Sequence, residues 1–149
     1  MSSWANILIA ISDTLTAATG IKSVRGYNEI TESIPATECP RLQVYPDSLV
    51  VDANTGTDRT TFQVGIQQYD LVVFVDHFAR PVSHIYLDMI AMVEGLDGIT
   101  DVLQDQKKPP FFGISDIKSF NGWTWKRMTF RYGDMKYRGG RFTLKLRIF

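Results

Sequence analysis

The sequence predicts an α+β fold: a largely antiparallel β-sheet with two helices packed on one face, in the order helix–strands–helix–strands. Three features of the pattern lead there. Residues 3–20 and 81–98 carry apolar side chains at helical spacing. The stretches between and after them are extended in character, rich in Val, Phe, Tyr and Thr or alternating apolar with polar. The chain then closes on its cleanest alternation, Phe142, Leu144, Leu146 and Ile148 against Arg141, Thr143, Lys145 and Arg147. With 149 residues, no repeat and no linker-like stretch, residues 1–149 should form a single domain.

Each element has its own justification. Ser3 suits an N-cap and Gly20 a left-handed closing turn. Between them Trp4, Ile7, Leu8, Ile11 and Leu15 fall on one helical face. Gly26, Pro35, Pro40 and Pro46 then interrupt the periodicity. Arg41–Tyr45 alternates as a short strand, and Ser48–Asp52 is either a second strand or its continuation past a proline bend. Residues 53–58 form a polar loop, and Arg59–Phe78 reads as extended, with a hairpin or bend expected near Gln67–Asp70.

Pro81 fits the first position of the second helix, where a missing N–H costs nothing. Val82, Ile85, Tyr86, Met89, Ile90, Val93 and Leu96 mark its apolar stripe, and Gly95 or Gly98 should end it. Residues 99–113 are expected to connect, with Lys107–Pro110 exposed. Ile114–Phe120 and Trp123–Tyr132 should be strands joined at Asn121-Gly122, the strongest hairpin signal in the chain. Gly133-Asp134 supplies the turn into the last strand, whose two faces should meet a core and either water or a partner.

Composition narrows the class. A chain that is 44% hydrophobic with zero net charge is not a disordered one. Its longest apolar run, Leu71–Val75, falls far short of the ~20 residues of a membrane helix, so no membrane partner is expected. Met1–Trp4 offers neither the basic segment nor the cleavage site of a secretory leader. Cys39 is the single cysteine, which excludes an internal disulfide and a cysteine-cage zinc site.

Zero net charge conceals a split. Residues 1–100 hold five basic and twelve acidic groups (net −7), and residues 101–149 hold eleven basic and four acidic groups (net +7). Such polarity suits a nucleic acid, an acidic protein face or the acidic half of an identical chain. Alternatively, the halves neutralise each other within one domain.

Catalytic chemistry finds few residues to use. His77 and His84 are the only imidazoles, with no G-x-S-x-G or H-E-x-x-H pattern around them. A surface or helix-cap role is the plain expectation for both, with a local hydrogen bond between Asp76 and His77. Gly133 and Gly139-Gly140 lead into no helix, so they form no phosphate loop. Asp97, Asp101 and Asp105 stand four apart in a weakly periodic region, poor grounds for a metal site. No enzyme activity and no cofactor is expected.

Residues 120–147 interleave rings and cations, as single-strand binders do. Strand parity divides them, however: Trp123 and Trp125 share a face with Arg127 and Thr129, and Lys126, Met128 and Phe130 share the other. Neither face is a pure stacking platform. A nucleic-acid-binding module therefore stands as an alternative of a different class.

The ending Phe130-Arg131-Tyr132-Gly133-Asp134-Met135-Lys136-Tyr137-Arg138-Gly139-Gly140-Arg141-Phe142-Thr143-Leu144-Lys145-Leu146-Arg147 resembles the tail terminator (tail completion, or neck) family of long-tailed bacteriophages. The order of elements is similar over essentially the whole chain. The resemblance implies a structural virion protein at the tail–head junction, present in the host cytoplasm during assembly. It implies a homohexameric ring that caps the tail tube, ends its polymerisation and offers a surface for head joining. Its partners would be further copies of itself, the tube protein and the head–tail adaptor protein, with double-stranded DNA passing through the ring unbound. A head–tail adaptor or minor tail protein is the alternative within that class. Opposite charges would steer head-to-tail contacts between subunits, so Arg127, Arg131, Lys136, Arg138, Arg141, Lys145 and Arg147 are candidates for a subunit or partner interface. A channel that lets duplex DNA slide should not neutralise its phosphates, so Asp47, Asp52 and Asp58 are candidates to face it.

Overall fold

The computed structural model describes the backbone of residues 3–29, 36–52, 68–81, 85–132 and 135–148, and the side chains of these apart from 36, 50–52, 68–69, 79–81 and 85–89. The elements run α1 (Trp4–Leu15), β1 (Ser23–Arg25), β2 (Arg41–Asp52), β3 (Gln68–Pro81), α2 (Ile85–Gln104), β4 (Ile117–Tyr132) and β5 (Met135–Ile148), with short 3₁₀ turns at Ala36–Glu38 and Phe111–Gly113. They form the expected α+β arrangement. The sheet order is β1-β2-β3-β5-β4, antiparallel throughout except for β1, which runs parallel to β2.

Helix α1 forms where its spacing places it. The Ser3 hydroxyl accepts the Asn6 N–H at 3.2 Å, and Ile7, Leu8, Ile11 and Leu15 are buried. Ser12 is buried beside them, and its hydroxyl donates to the Leu8 carbonyl at 3.1 Å, so that hydroxyl is satisfied within the helix. The helix stops well before Gly20, which instead takes φ +78° in the turn that follows.

Strands β2 and β4 each absorb a feature that the sequence suggests as a break. β2 continues from Arg41 to Asp52, with its register shifting between Pro46 and Ser48 because proline has no N–H for the ladder. In β4, Asn121-Gly122 makes no hairpin. Phe120 pairs with Leu146 and Trp123 with Leu144, so both flanks lie against the same strand and the dipeptide is a bulge, with Gly122 at φ +90°. The uninterrupted alternation of β5 offers a partner to both flanks, and that outweighs the local turn preference. The hairpin forms where Tyr132 faces Met135; the expected turn at Gly133-Asp134 itself lies outside the described residues, as does all of Arg59–Gln67. β3 runs unbroken from Gln68 through Asp70, where the sequence suggests a hairpin or bend.

Helix α2 departs most from expectation. Pro81 ends β3, opposite Tyr137, rather than opening the helix. The helix then runs through Gly95 and Gly98 to Gln104, so residues 99–104 are helical rather than connecting. Its buried side is Met92, Gly95, Gly98, Ile99 and Leu103. Ile90 and Val93, expected in the buried stripe, are 59% and 52% exposed. The glycines are the cause. A Cβ on Gly98 would overlap the Thr19 backbone, and one on Gly95 would come within 2.6 Å of His77 Nε2. Contact at the glycines rotates the helix away from its bulkier stripe. Gly98→Ala should therefore destabilise the fold by ~1–3 kcal/mol through overpacking, although alanine gains ~1 kcal/mol over glycine in an unobstructed helix. Urea denaturation reads the sign directly.

One core lies between the helices and the helix-side face of the sheet. Ile7, Leu8, Ile11, Leu15, Ile99 and Leu103 meet Leu42 and Val44 of β2, Leu71, Val73 and Val75 of β3, and Phe142, Leu144, Leu146 and Ile148 of β5. The opposite face has a smaller cluster, Cys39, Phe78, Phe130 and Tyr137, with Met128 and Tyr132 against it. Exposed Lys107–Pro110 follows α2 as the sequence predicts.

Candidate functional site

The register of β3, β5 and β4 sorts the seven candidate cations onto two faces. Asp76 pairs with Arg141, Val72 with Lys145 and Asp70 with Arg147, all on the face away from the helices. His77 pairs with Gly140 and approaches Gly95 of α2, which marks the helix side. Arg127 pairs with Gly140, Thr129 with Arg138 and Arg131 with Lys136. Arg127, Arg131, Lys136 and Arg138 therefore share the helix-side face, at the end of the β4–β5 hairpin that the helices leave uncovered. Arg127, Arg131 and Lys136 are exposed there and Arg138 is partly so. None has an ion pair among the described residues.

Arg141 and Arg147 are committed inside the chain. Arg141 Nε donates to Asp76 Oδ1 at 2.6 Å and its Nη2 to Asp76 Oδ2 at 3.1 Å, a bidentate clasp. The Tyr45 hydroxyl closes the cluster by donating to Asp76 and accepting from Arg141. The guanidinium also lies 4.4 Å from the centroid of the Phe74 ring. Burial and the Asp76 carboxylate push the Tyr45 phenol well above its ordinary range, and the hydrogen bond to Asp76 raises the Arg141 guanidinium further. Arg147 Nε reaches Asp70 Oδ1 at 2.8 Å, and this bond holds the Asp70 carboxyl below its usual value. Lys145 is exposed between the two pairs on the same face.

Asp76 and His77 make no local pair, because neighbours in a strand point to opposite faces. His77 is fully buried beneath α2, not at the surface, and neither ring nitrogen has a partner among the described residues. Burial alone lowers its pKa to about 4, so the imidazole is neutral. His84 lies outside the described residues. Among the described residues no group of three His, Cys, Asp or Glu side chains could hold a metal ion.

The channel candidates are dispersed. Asp47 is exposed at the β2 register shift, where it lines a cleft of about 290 Å³ with Trp4, Leu8, Leu49 and Leu71. Asp52 ends β2 with its side chain outside the described residues, and Asp58 lies outside them altogether.

A second charged surface, not among the sequence candidates, lies on α2. Glu94, Asp97 and Asp101 point outward from α2, with Asp105 just past its end and exposed Ile90 and Val93 beside them. Their i, i+3, i+7 spacing was the available signal, concealed by the assumption that glycine ends the helix. Trp125 provides the hairpin with a comparable apolar spot. It is 36% exposed and lies against Gly140, where a Cβ would overlap its ring.

The arrangement is thus two exposed surfaces of opposite sign, one on α2 and one on the hairpin, each with apolar side chains within it. No family model matches the chain, and no curated protein matches it.

Proposed function

We propose that the chain is a structural assembly protein of a phage neck, a tail terminator that caps the tail tube as a ring and offers the surface on which the head docks. The observation that carries this reading is the separation of charge onto distinct exposed surfaces, the acids on α2 and Arg127, Arg131, Lys136 and Arg138 on the hairpin. Such surfaces steer and orient macromolecular partners. The β5 ending and the helix–strands–helix–strands order, which resemble the terminator family, supply the context. Double-stranded DNA passes through the ring without specific binding, along a channel that Asp47 helps to keep free of cations. A head–tail adaptor with the same module would use the same surfaces.

The reading is tested by polymerising the cognate tube protein with and without the purified chain. Capping predicts tubes of bounded length that stop growing and carry the chain at one end. Tubes of unchanged length with no chain bound would contradict it.

A second reading, single-stranded nucleic-acid binding, draws on Trp125 lying exposed on the same face as Arg127 and Arg138. Stacking of a base would quench the indole fluorescence. One side of that ring is occupied by Gly140, so the first reading predicts no quenching by short oligonucleotides at low salt.

A further inference from the structure

We infer that the acidic face of α2 and the basic face of the β4–β5 hairpin are the two halves of one contact between copies of this chain. The inference rests on the assembly reading only in taking a second copy as the partner. Three observations support it.

The first is charge. Glu94, Asp97 and Asp101 form one exposed helical stripe, and Arg127, Arg131, Lys136 and Arg138 one exposed sheet surface. Neither set has an ion pair among the described residues, whereas Arg41, Arg141 and Arg147 on the opposite face are each paired within the chain with Glu38, Asp76 and Asp70. Among the described residues, then, these charged groups of the helix side are unpaired where those three arginines of the opposite face are clasped.

The second is the apolar content. Ile90 and Val93, 59% and 52% exposed, stand at the start of the acidic stripe, and Trp125, 36% exposed, stands beside Arg127. A docked pair of surfaces would bring these three together with charges of opposite sign around them, the usual build of a specific interface with an apolar centre and a polar rim. A flexible polyanion would match the cations but leave Ile90 and Val93 without a use.

The third is geometry. The two surfaces are different patches of one molecule, so the contact is head-to-tail and leaves each copy with one unused half at either end. Such contacts continue until a ring closes, and the position of α2 relative to the hairpin sets the number of copies.

Charge reversal gives the test. Asp97→Lys with Asp101→Lys takes the Glu94, Asp97 and Asp101 stripe from −3 to +1, so both surfaces of the helix variant are basic. Arg127→Glu with Arg131→Glu and Lys136→Glu takes the hairpin surface from +4 to −2, so both surfaces of the hairpin variant are acidic. All five side chains are exposed, so circular dichroism and thermal melts should match the parent. By sedimentation velocity across a concentration series at low salt, the unmodified chain should self-associate and each variant should do so ~100-fold more weakly. An equimolar mixture should regain association to within ~10-fold, since each reversed face now meets its complement. Added salt should weaken the contact.

A parent chain that stays monomeric throughout the series would overturn the inference. So would variants that associate as the parent does, or a mixture that fails to recover. Any of these would leave tube capping intact as a separate measurement, and a chain that associates through these faces but leaves tube length unchanged would sink the capping reading alone.

Discussion

Arg141→Ala should cost the fold about 3 kcal/mol at neutral pH, the larger part of it from the carboxylate left behind. Asp76 is 1% exposed, and its two oxygens are satisfied by Arg141 and Tyr45. Removing the guanidinium leaves a buried charge with one neutral donor. The reverse deletion is milder. The Arg141 side chain is 24% exposed, so in Asp76→Ala it can turn its charge toward water while its stem stays against Phe74. Arg141→Ala should therefore destabilise more than Asp76→Ala, and the double variant Asp76→Ala/Arg141→Ala should be more stable than Arg141→Ala alone, a coupling of the kind neighbouring charges show. Urea denaturation of the three variants reads all of this. Equal costs that simply add would show that the pair contributes nothing as a pair. A residue that the sequence offers as an interface cation is, on this account, needed first to hold β2, β3 and β5 together.

Acidification should produce the second large effect, through His77. The folded protein holds the imidazole neutral, with its pKa lowered to about 4, whereas an unfolded chain titrates it near 6.5. The unfolded state therefore binds more protons between these values, and stability must fall as pH drops through that window. The stabilisation is complete above about pH 6.5 and lost progressively toward pH 4, about 3 kcal/mol in all for a shift of this size. Asp70 acts in the same direction but at lower pH, because its contribution is lost only below the ordinary carboxylate range. His77→Leu should flatten the unfolding free energy between pH 6.5 and 4 whatever its stability at pH 7. A parent chain whose stability does not change across that window would contradict the buried, unpartnered placement.

What was legible in the sequence was whatever one period settles. The alternation at the end of β5 gives the buried Phe142, Leu144, Leu146 and Ile148 directly, because four apolar side chains at i, i+2 spacing have only one face to share; the burial of Tyr137 on the other face is outside that pattern. Helix α1 is legible in its Ser3 cap and in Ile7, Leu8, Ile11 and Leu15, although Trp4 at its start is 37% exposed and the helix ends at Leu15, before Gly20. Strand parity also assigned Trp125 and Arg127 to one face and Phe130 to the other, as the register bears out.

The misreadings share a cause. Local preference makes Gly95 and Gly98 stops and Asn121-Gly122 a turn, and tertiary contact decides each otherwise. The two helix glycines admit His77 and Thr19, and the dipeptide is a bulge that keeps β4 paired along β5. β1 was missed because three residues carry no period of their own; its pairing with β2 defines it. Among the candidate cations, parity separates Arg127, Arg131, Lys136 and Arg138 from Lys145, Arg141 and Arg147. It does not reveal that Asp76 and Asp70 lie opposite the last two, because that depends on the register of strands far apart in sequence.

We propose that this chain works by presenting shape and charge to other macromolecules, at the junction between a phage capsid and its tail. A reconstruction of the virion neck at side-chain resolution tests it most directly. The expected map shows a ring of copies of this chain on the end of the tube, α2 of each against the β4–β5 hairpin of the next, and no row of cations along the channel. A neck built without the chain, or a ring whose inner wall is lined by Arg127, Arg131 and Lys136, would contradict it.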